Sequence, residues 1–288
     1  MTFSIVGRDP ATGDLGIAVQ SKFLGVGAVV PWARAGVGAV ATQSYANTSY
    51  GPRGLDLLHQ GLDANDALQA LLANDENAAQ RQVGIVDALG HAATFTGSAC
   101  HEWAGGVSGP NFAAQGNILV GEATVTAMAA AFERSSGPLW HRLVEALAEG
   151  QRAGGDRRGQ QSAALLVVRE GGGYAGFNDR MIDLRVDDAL HPIEELARIL
   201  DLHELLFLRP SSEDLLPIDG RIATELQELL TRSDDYHGPI TGEYDDATFS
   251  ALEAYGGREN LEERLMHDPA DARIDPKVLG YLRQHIGG

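Results

Sequence analysis

Thr2 stands directly after Met1 and opens an apolar run, Thr2-Phe3-Ser4-Ile5-Val6. A small second residue favours removal of Met1, which would leave threonine as the first residue. Such a threonine carries a nucleophilic hydroxyl and, on the same residue, an α-amine of pKa about 7.7–8.0 that can serve as its base. No separate histidine is then needed. Met-Thr is also a common translational start, so the reading depends on what surrounds it.

Three polar clusters interrupt otherwise apolar strand ends. The first is Gln20-Ser21-Lys22, where an ammonium would lower the pKa of the amine and orient the hydroxyl, or else simply extend to solvent. In the second, Thr42-Gln43-Ser44-Tyr45-Ala46-Asn47, the Gln43, Ser44 and Asn47 side chains either bind a substrate carbonyl or cap the helix that follows. The third is Gly154-Gly155-Asp156-Arg157-Arg158-Gly159-Gln160-Gln161-Ser162. There the Gly154–Gly155 turn would aim backbone N–H groups at an oxyanion, Asp156 would orient the amine, and Arg157 would grip a substrate carboxylate. A surface loop with a local Asp–Arg pair is the alternative. Gln115-Gly116-Asn117 suits amide recognition, with Gln115 and Asn117 as its side chains, or satisfies backbone at a bulge.

Other chemistries lack their patterns. The nine histidines show no HxH or HExxH spacing, so neither a metal nor a cofactor is expected. Cys100 is the single cysteine, which excludes an internal disulfide framework. Read as neighbours on a strand, Cys100 and His101 would point to opposite faces and form no dyad. The glycines at 25–27 and 171–173 lack the strand–GxGxxG–helix setting of a dinucleotide site.

The elements that must position these residues follow from periodicity and punctuation. Strands are expected at Phe3–Gly7 and Leu15–Ser21, joined by a turn-rich Asp9–Asp14, and then at Gly36–Gln43. Helices follow at Gly51–Gln60 and from Asp63, as N-cap, to Leu72. Strands return at Gln82–Asp87, Ala92–Thr96 and Phe112–Leu119, and helices at Ala123–Phe132 and Leu139–Gln151. Ser162–Arg169 and Ile182–Val186 complete the strands, and His191–Phe207 is an amphipathic helix. Strands and helices come in pairs without regular βαβ alternation. That predicts antiparallel sheets covered by helices, an α+β chain built as helix–sheet–sheet–helix.

Composition narrows the setting. Of 288 residues 44% are hydrophobic, and 22 basic side chains face 40 acidic ones, a formal net charge of −18. That field argues against nucleic acid and anionic membrane as partners. No run approaches the roughly 20 apolar residues of a membrane span, and the first residues lack the basic and apolar regions of an export signal. A cytoplasmic setting is expected. A break is expected near Arg209-Pro210-Ser211-Ser212, because residues 210–288 carry 17 acids against 7 bases. Domains of 1–209 and 210–288 are therefore expected.

Several of these segments together resemble a known family. Thr2–Val6, Gln20-Ser21-Lys22-Phe23, Ala41–Asn47, Arg81–Asp87, Gln115–Leu119 and Gly154–Gly159 occur in the order seen in the bacterial and archaeal DUF1028 family. The resemblance covers nearly all of residues 1–209. That family is grouped with the N-terminal-nucleophile (Ntn) hydrolases. The resemblance thus implies a four-layer αββα sandwich, cleavage of amide bonds, and Thr2 on the nucleophile position. Proteasome-like members carry a lysine near the start of the third strand. The corresponding Val29-Val30-Pro31 has none, and Lys22 lies earlier.

The tail has its own likeness. Leu226–Leu230, Tyr236–Tyr244 and Thr248–Tyr255 resemble peptidoglycan-binding-like three-helix modules, with Gly238 and Gly242 in the linking turn and Thr248 capping the second helix. The likeness implies a small all-α domain whose partner is another protein or, second, a peptidoglycan fragment.

The resulting expectation is an Ntn amidohydrolase acting on a small peptide-like or ureido-like substrate. Thr2 would be the nucleophile, Lys22 and Asp156 would tune its amine, and Gln43, Asn47 and the 154–155 turn would polarise the carbonyl. A non-catalytic metabolite- or peptide-binding protein on the same scaffold is the competing expectation, and self-association is expected in either case.

Overall fold

The computed structural model describes residues 2–287 and divides into two compact units between Ile199 and Leu200. The first unit contains β1 (Thr2–Arg8), β2 (Leu15–Ser21), β3 (Pro31–Arg34), β4 (Gly38–Ser44), α1 (Tyr50–His59), α2 (Ala64–Leu72), β5 (Arg81–Asp87) and β6 (Ala92–Thr96). It continues with β7 (Gly105–Gly109), β8 (Phe112–Asn117), α3 (Ala123–Arg134), α4 (Leu139–Arg152), β9 (Ser162–Val168), β10 (Arg180–Val186) and the start of α5 (Pro192–Phe207), which runs across the division.

Two antiparallel sheets result, a six-stranded one in the order β10-β9-β2-β1-β8-β7 and a four-stranded one in the order β3-β4-β5-β6. Alternation along each strand decides what every side chain meets. Val6 of β1, with Ile17 and Val19 of β2, packs on Ala39, Ala41 and Val86 of the second sheet. Thr2 and Ser4 share the parity of Val6 and therefore look into the same space between the sheets. The outer face of the four-stranded sheet, through Val40, Val83 and Ile85, buries Tyr50, Leu55 and Leu58 of α1 and Leu68 and Leu71 of α2. Helices α3 and α4 pack on each other and against β1, β2 and β8 of the six-stranded sheet. In α4 the buried residues Leu139, Leu143, Leu147 and Gly150 fall at helical spacing, which is why that face lies down on the sheet.

Antiparallel sheets with paired helices are thus as expected. Two strands of this unit are not among those expected from the sequence: β3, which starts at a proline, and β7, whose Gly-Gly-Val-Ser-Gly carries almost no apolar signal. Asp63 does cap α2, its carboxylate accepting from the Asp66 amide.

The second unit contains the end of α5, β11 (Leu216–Pro217), α6 (Gly220–Arg232), α7 (Asp246–Glu259), β12 (Arg273–Ile274) and α8 (Pro276–Ile286). Leu226, Leu229, Leu230, Leu252, Tyr255 and Leu282 lie at the centre of its core. Gln227 ties the α6–α7 connection: its Oε1 accepts from the Thr241 and Gly242 amides, and its Nε2 donates to Glu243 O and Thr248 Oγ1. The cap of α7 is Asp245, not Thr248. Asp245 Oδ1 accepts from the Thr248 amide and hydroxyl, because the carboxylate reaches the exposed N–H groups from the turn before the helix. Buried Arg264 donates to Glu204 O and to the Asp275 carboxylate, anchoring the α7–α8 connection.

Candidate functional site

β1 occupies an interior position of the six-stranded sheet, and Thr2 is its first residue, paired with Ser21 on one side and Asn117 on the other. The residue is 6% exposed, and Thr2 Oγ1 lies 3.1 Å from Ser21 Oγ. Ser21 in turn pairs with Ser162, so hydroxyl-bearing residues cross three adjacent strands at this end. Met1, whose removal the nucleophile reading needs, lies outside the described residues.

Behind Thr2 the space between the sheets is filled by amides where apolar packing would be ordinary. Gln43, Gln82, Gln115 and Asn117 are all at most 1% exposed. Ser4 Oγ donates to Gln43 Oε1 at 2.7 Å, and Gln43 Nε2 donates to Gln82 Oε1 at 2.8 Å and to Thr2 O at 3.3 Å. Gln82 Oε1 also accepts from Asn117 Nδ2 at 2.8 Å, while Gln82 Nε2 donates to Gly116 O at 2.7 Å. Gln115 Nε2 donates to Ser4 Oγ at 2.7 Å. Each of these four amides is hydrogen-bonded, as low-dielectric burial demands. Of the expected substrate-binding amides, Gln43, Gln115 and Asn117 are therefore brought together beside Thr2, bonded to one another and to backbone. Gln82 is the hub, and in the sequence it stands out only as the start of an expected strand and as part of the Arg81–Asp87 segment. A polar residue at a buried strand position was the available signal.

The lattice leaves little slack. A Cβ built on Gly84 would sit 2.1 Å from Gln115 Oε1. Gly84→Ala is therefore expected to displace that amide from Ser4 and from Thr94, whose Oγ1 donates to Gln115 Oε1 at 3.3 Å, and to cost about 2 kcal/mol. Thermal unfolding should show a lower melting temperature with the fold retained.

The end of the six-stranded sheet beside Thr2 is built from the ends of β2 and β8 and the loop after α4. The Asp156 carboxylate is fully buried; its Oδ2 accepts from the Lys22 amide at 3.0 Å and its Oδ1 from the Arg158 amide at 2.9 Å. The Arg157 amide donates to Ile118 O, and Arg157 Nη2 donates to Leu119 O at 3.2 Å. The Lys22 side chain is exposed, its Nζ donating to Gln160 O at 3.2 Å. Asp156 thus pins loop to strand through backbone amides, while the ammonium of Lys22 sits outward of Thr2's strand. The glycines do something other than form an oxyanion hole. The Gly154 amide donates to Gln151 O and the Gly155 amide to Gly150 O and Thr124 Oγ1, so both close the C-terminus of α4. Their φ values of 126° and 62° are what that sharp exit requires.

On the four-stranded sheet, the β4–α1 loop is held by Asp75. That carboxylate accepts from Arg81 Nε at 2.8 Å, Tyr50 Oη at 2.9 Å and Asn47 Nδ2 at 3.2 Å. Asn47 Oδ1 accepts from the Ser49 amide and hydroxyl. Of the two roles open for Asn47, the side chain is engaged in the second, organising the entry to α1. Ser44 ends β4 with φ 71° opposite Arg81, turning the chain into this loop. Hydrogen bonding from Arg81 holds the Asp75 carboxyl well below the usual carboxylate range, and burial pushes the Tyr50 hydroxyl up to about 12.

Cys100 and His101 lie in the β6–β7 loop and not on a strand. Cys100 Sγ donates to Arg81 O and His101 Nε2 meets Tyr45 Oη at 3.3 Å, so they have separate partners for a reason other than strand alternation. No group of three metal-ligating side chains is found among the described residues. A cleft of about 210 Å³ lined by His59, Asp63, Asp87 and His91 opens at the opposite end of β5 from Gln82. There His91 Nδ1 meets Asp87 Oδ2 at 2.8 Å and closes the β5–β6 turn.

These features can be set beside known proteins. Residues 206–282 match the model described as "Putative peptidoglycan binding domain". The search of curated proteins gives no match. The crystal structure of protein SPO2555 from Silicibacter pomeroyi, a DUF1028 protein, is 32% identical with a TM-score of 0.65, covering 70% of this chain and 89% of that one. Residues 2–196 match the model described as "Family of unknown function (DUF1028)". With that match spanning most of its length, the chain belongs to the DUF1028 family.

Proposed function

We propose that this protein is an Ntn-type amidohydrolase that cleaves an amide bond in a small peptide-like or ureido-like molecule, with Thr2 as nucleophile once Met1 has been removed. The observation that carries the reading is the place of Thr2: the end of an interior strand, hydroxyl beside Ser21, backed by a rigid lattice of buried amides. A hydroxyl held this way pays little further ordering entropy when it reacts.

In the proposed cycle Thr2 Oγ attacks the substrate carbonyl carbon and its proton passes to the Thr2 α-amine. The resulting ammonium returns that proton to the departing nitrogen as the tetrahedral intermediate collapses, leaving an ester on Thr2. Water then attacks the ester, the amine accepts its proton, and the carboxylic acid product leaves with Thr2 restored. Ser21 Oγ, 3.1 Å from Thr2 Oγ1, is placed to relay the proton. Asp156 acts on this machinery through position, by fixing the loop against the Lys22 amide. The reading implies residues 1–209 as the catalytic domain and 210–288 as an accessory one, in a self-associating cytoplasmic protein.

Two measurements test the proposal. Intact mass should show the chain beginning at Thr2, and an amide-mimicking electrophile such as a β-lactone should leave one adduct, mapped to Thr2. A chain that keeps Met1, or an adduct elsewhere, overturns it. Ligand binding without adduct or turnover would favour a metabolite- or peptide-binding protein on the same scaffold. A second reading concerns the C-terminal unit alone, because residues 206–282 match the peptidoglycan-binding model: it binds a peptidoglycan fragment. Binding of muropeptides to the full chain, lost when residues 210–288 are removed, tests this.

A further inference from the structure

We infer that the end of the first unit that holds Thr2 is an interface, at which two copies of this chain pair symmetrically. The self-association proposed above thereby gains a surface, and that surface stands whether or not Thr2 is a nucleophile.

Single exposed apolar side chains are ordinary on a protein, but clustered ones mark contact sites. Phe23, Leu24, Tyr45, Val120 and Leu190 are each more than half exposed, and they follow the ends of β2, β4, β8 and β10. Those strand ends lie together. Thr2 pairs with Ser21 and Asn117, its carbonyl accepts from Gln43, and Ser21 pairs with Ser162, which precedes the β10 partner Ala163. The exposed Leu89, Tyr174 and Phe177 sit instead in the β5–β6 and β9–β10 connections, at the opposite strand ends.

Hydrogen bonds join the loops that carry the five side chains. Ser162 Oγ donates to Phe23 O, the Gly25 amide to Asp187 O and the Ala189 amide to Gln161 O, which binds the Phe23 and Leu190 loops to the start of β9. The Lys22 amide donates to Asp156 and the Val120 amide to Gly155 O, which links Phe23 to Val120. The Ile118 amide donates to His101 O, and His101 Nε2 meets Tyr45 Oη, which carries the surface over to the second sheet. Loops fixed in this way lose little freedom when a partner arrives.

The size suits a dimer. A standard contact buries about 800 Å² on each copy, a patch about 28 Å on a side. From Leu190 beyond β10 to Val120 beyond β8 is four strand spacings or about 19 Å, and Tyr45 lies about 10 Å away on the other sheet. Together with the charged loops around it, this apolar middle approaches that size.

Charge selects a second copy as the occupant. At −18 the chain repels itself and anionic membrane alike at long range, so copies meet best where both signs are present. Asp187 and Asp188 follow β10, while Lys22 follows β2, two strands or about 10 Å inward, with Arg157 and Arg158 in the loop bonded to it. Glu102 and Glu122 lie on the β8 side. A two-fold axis between the cations and either acidic margin sets each sign of one copy against the opposite sign of the other.

Sedimentation velocity of the full chain, from about 1 to about 100 µM in about 0.15 M salt, should show a dimer. Phe23→Asp and Leu190→Asp should each raise its dissociation constant by about hundredfold or more, because a symmetric contact meets every substitution twice. Phe177→Asp, at the opposite strand ends, should leave the constant unchanged. Unchanged circular dichroism confirms that the variants fold, as replacement of exposed side chains allows. A wild type that stays monomeric throughout overturns the inference. A dimer that survives both substitutions overturns it as well, by placing the contact elsewhere.

Discussion

Thr2→Ala is expected to remove turnover, by about 10⁴-fold or more, while changing thermal stability by only about 1 kcal/mol. The two halves of the expectation come from different features. In the proposed hydrolase, turnover depends on a hydroxyl and an amine on one residue, and alanine keeps the amine but has no atom to form the ester. Stability depends on what the hydroxyl touches, and its recorded side-chain contact is a 3.1 Å bond to Ser21 Oγ. The backbone pairing of β1 with β2 and β8 survives the change. For a unit of about 200 residues, 1 kcal/mol moves the melting temperature by about 2–4 °C. Thr2→Ser should keep measurable activity, since it retains both groups. Amide hydrolysis followed beside differential scanning calorimetry separates the outcomes. Wild-type turnover in Thr2→Ala would place the nucleophile elsewhere, and a melting point lowered by ten degrees or more would mark Thr2 as structural.

The elements of this fold were legible because most carry an undiluted signal. Leu15–Ser21 and Ser162–Val168 are short apolar runs bounded by turns, and Asp63 announces α2 from the position its carboxylate later fills. β7 was not legible because Gly105, Gly106 and Gly109 give a strand no side chains to declare itself with; its place is set by β8 alongside it. The site was legible in part. Thr2, Gln43, Gln115 and Asn117 stood out as polar residues at apolar strand positions, and the topology collects them.

What failed was the assignment of atoms to tasks. Gly154 and Gly155 signal a backbone that must turn sharply, but not where the N–H groups point after turning; closing α4 takes them. Asn47 likewise signals a side chain that bonds backbone, and the partner that fixes it, Asp75, is 28 residues away in sequence. Long-range partners of this sort leave no periodic trace. The same holds for Gln82, whose importance comes from facing Gln43 and Asn117 on other strands.

Asp75→Ala should be among the most destabilising single changes in the first unit, at about 3–5 kcal/mol, with Asp75→Asn close behind. The side chain is 7% exposed and its Arg81 partner 15%, so little water replaces what is lost. Removing the carboxylate leaves the Arg81 charge and the Tyr50 hydroxyl without their acceptor at the same time as it releases Asn47. The pH dependence has a definite sign. Arg81 and the other donors hold the folded pKa of Asp75 far below the unfolded value of about 3.9, so between those two values the unfolded chain binds more protons. The contribution is therefore fully present above about pH 5 and is lost as pH falls through the acid range. At the other extreme Tyr50 is pushed up to about 12 from 10, so its share persists through neutral pH and is lost only as pH rises through the folded value. Urea denaturation of the wild type between pH 7 and pH 2 should show stability falling on the acid side. The same series on Asp75→Asn should begin lower and fall less steeply, because the variant has no proton to take up at that position. Parallel curves for the two proteins would mean that acid sensitivity resides in other carboxylates, and that Asp75 stabilises the β4–α1 loop through neutral hydrogen bonding alone.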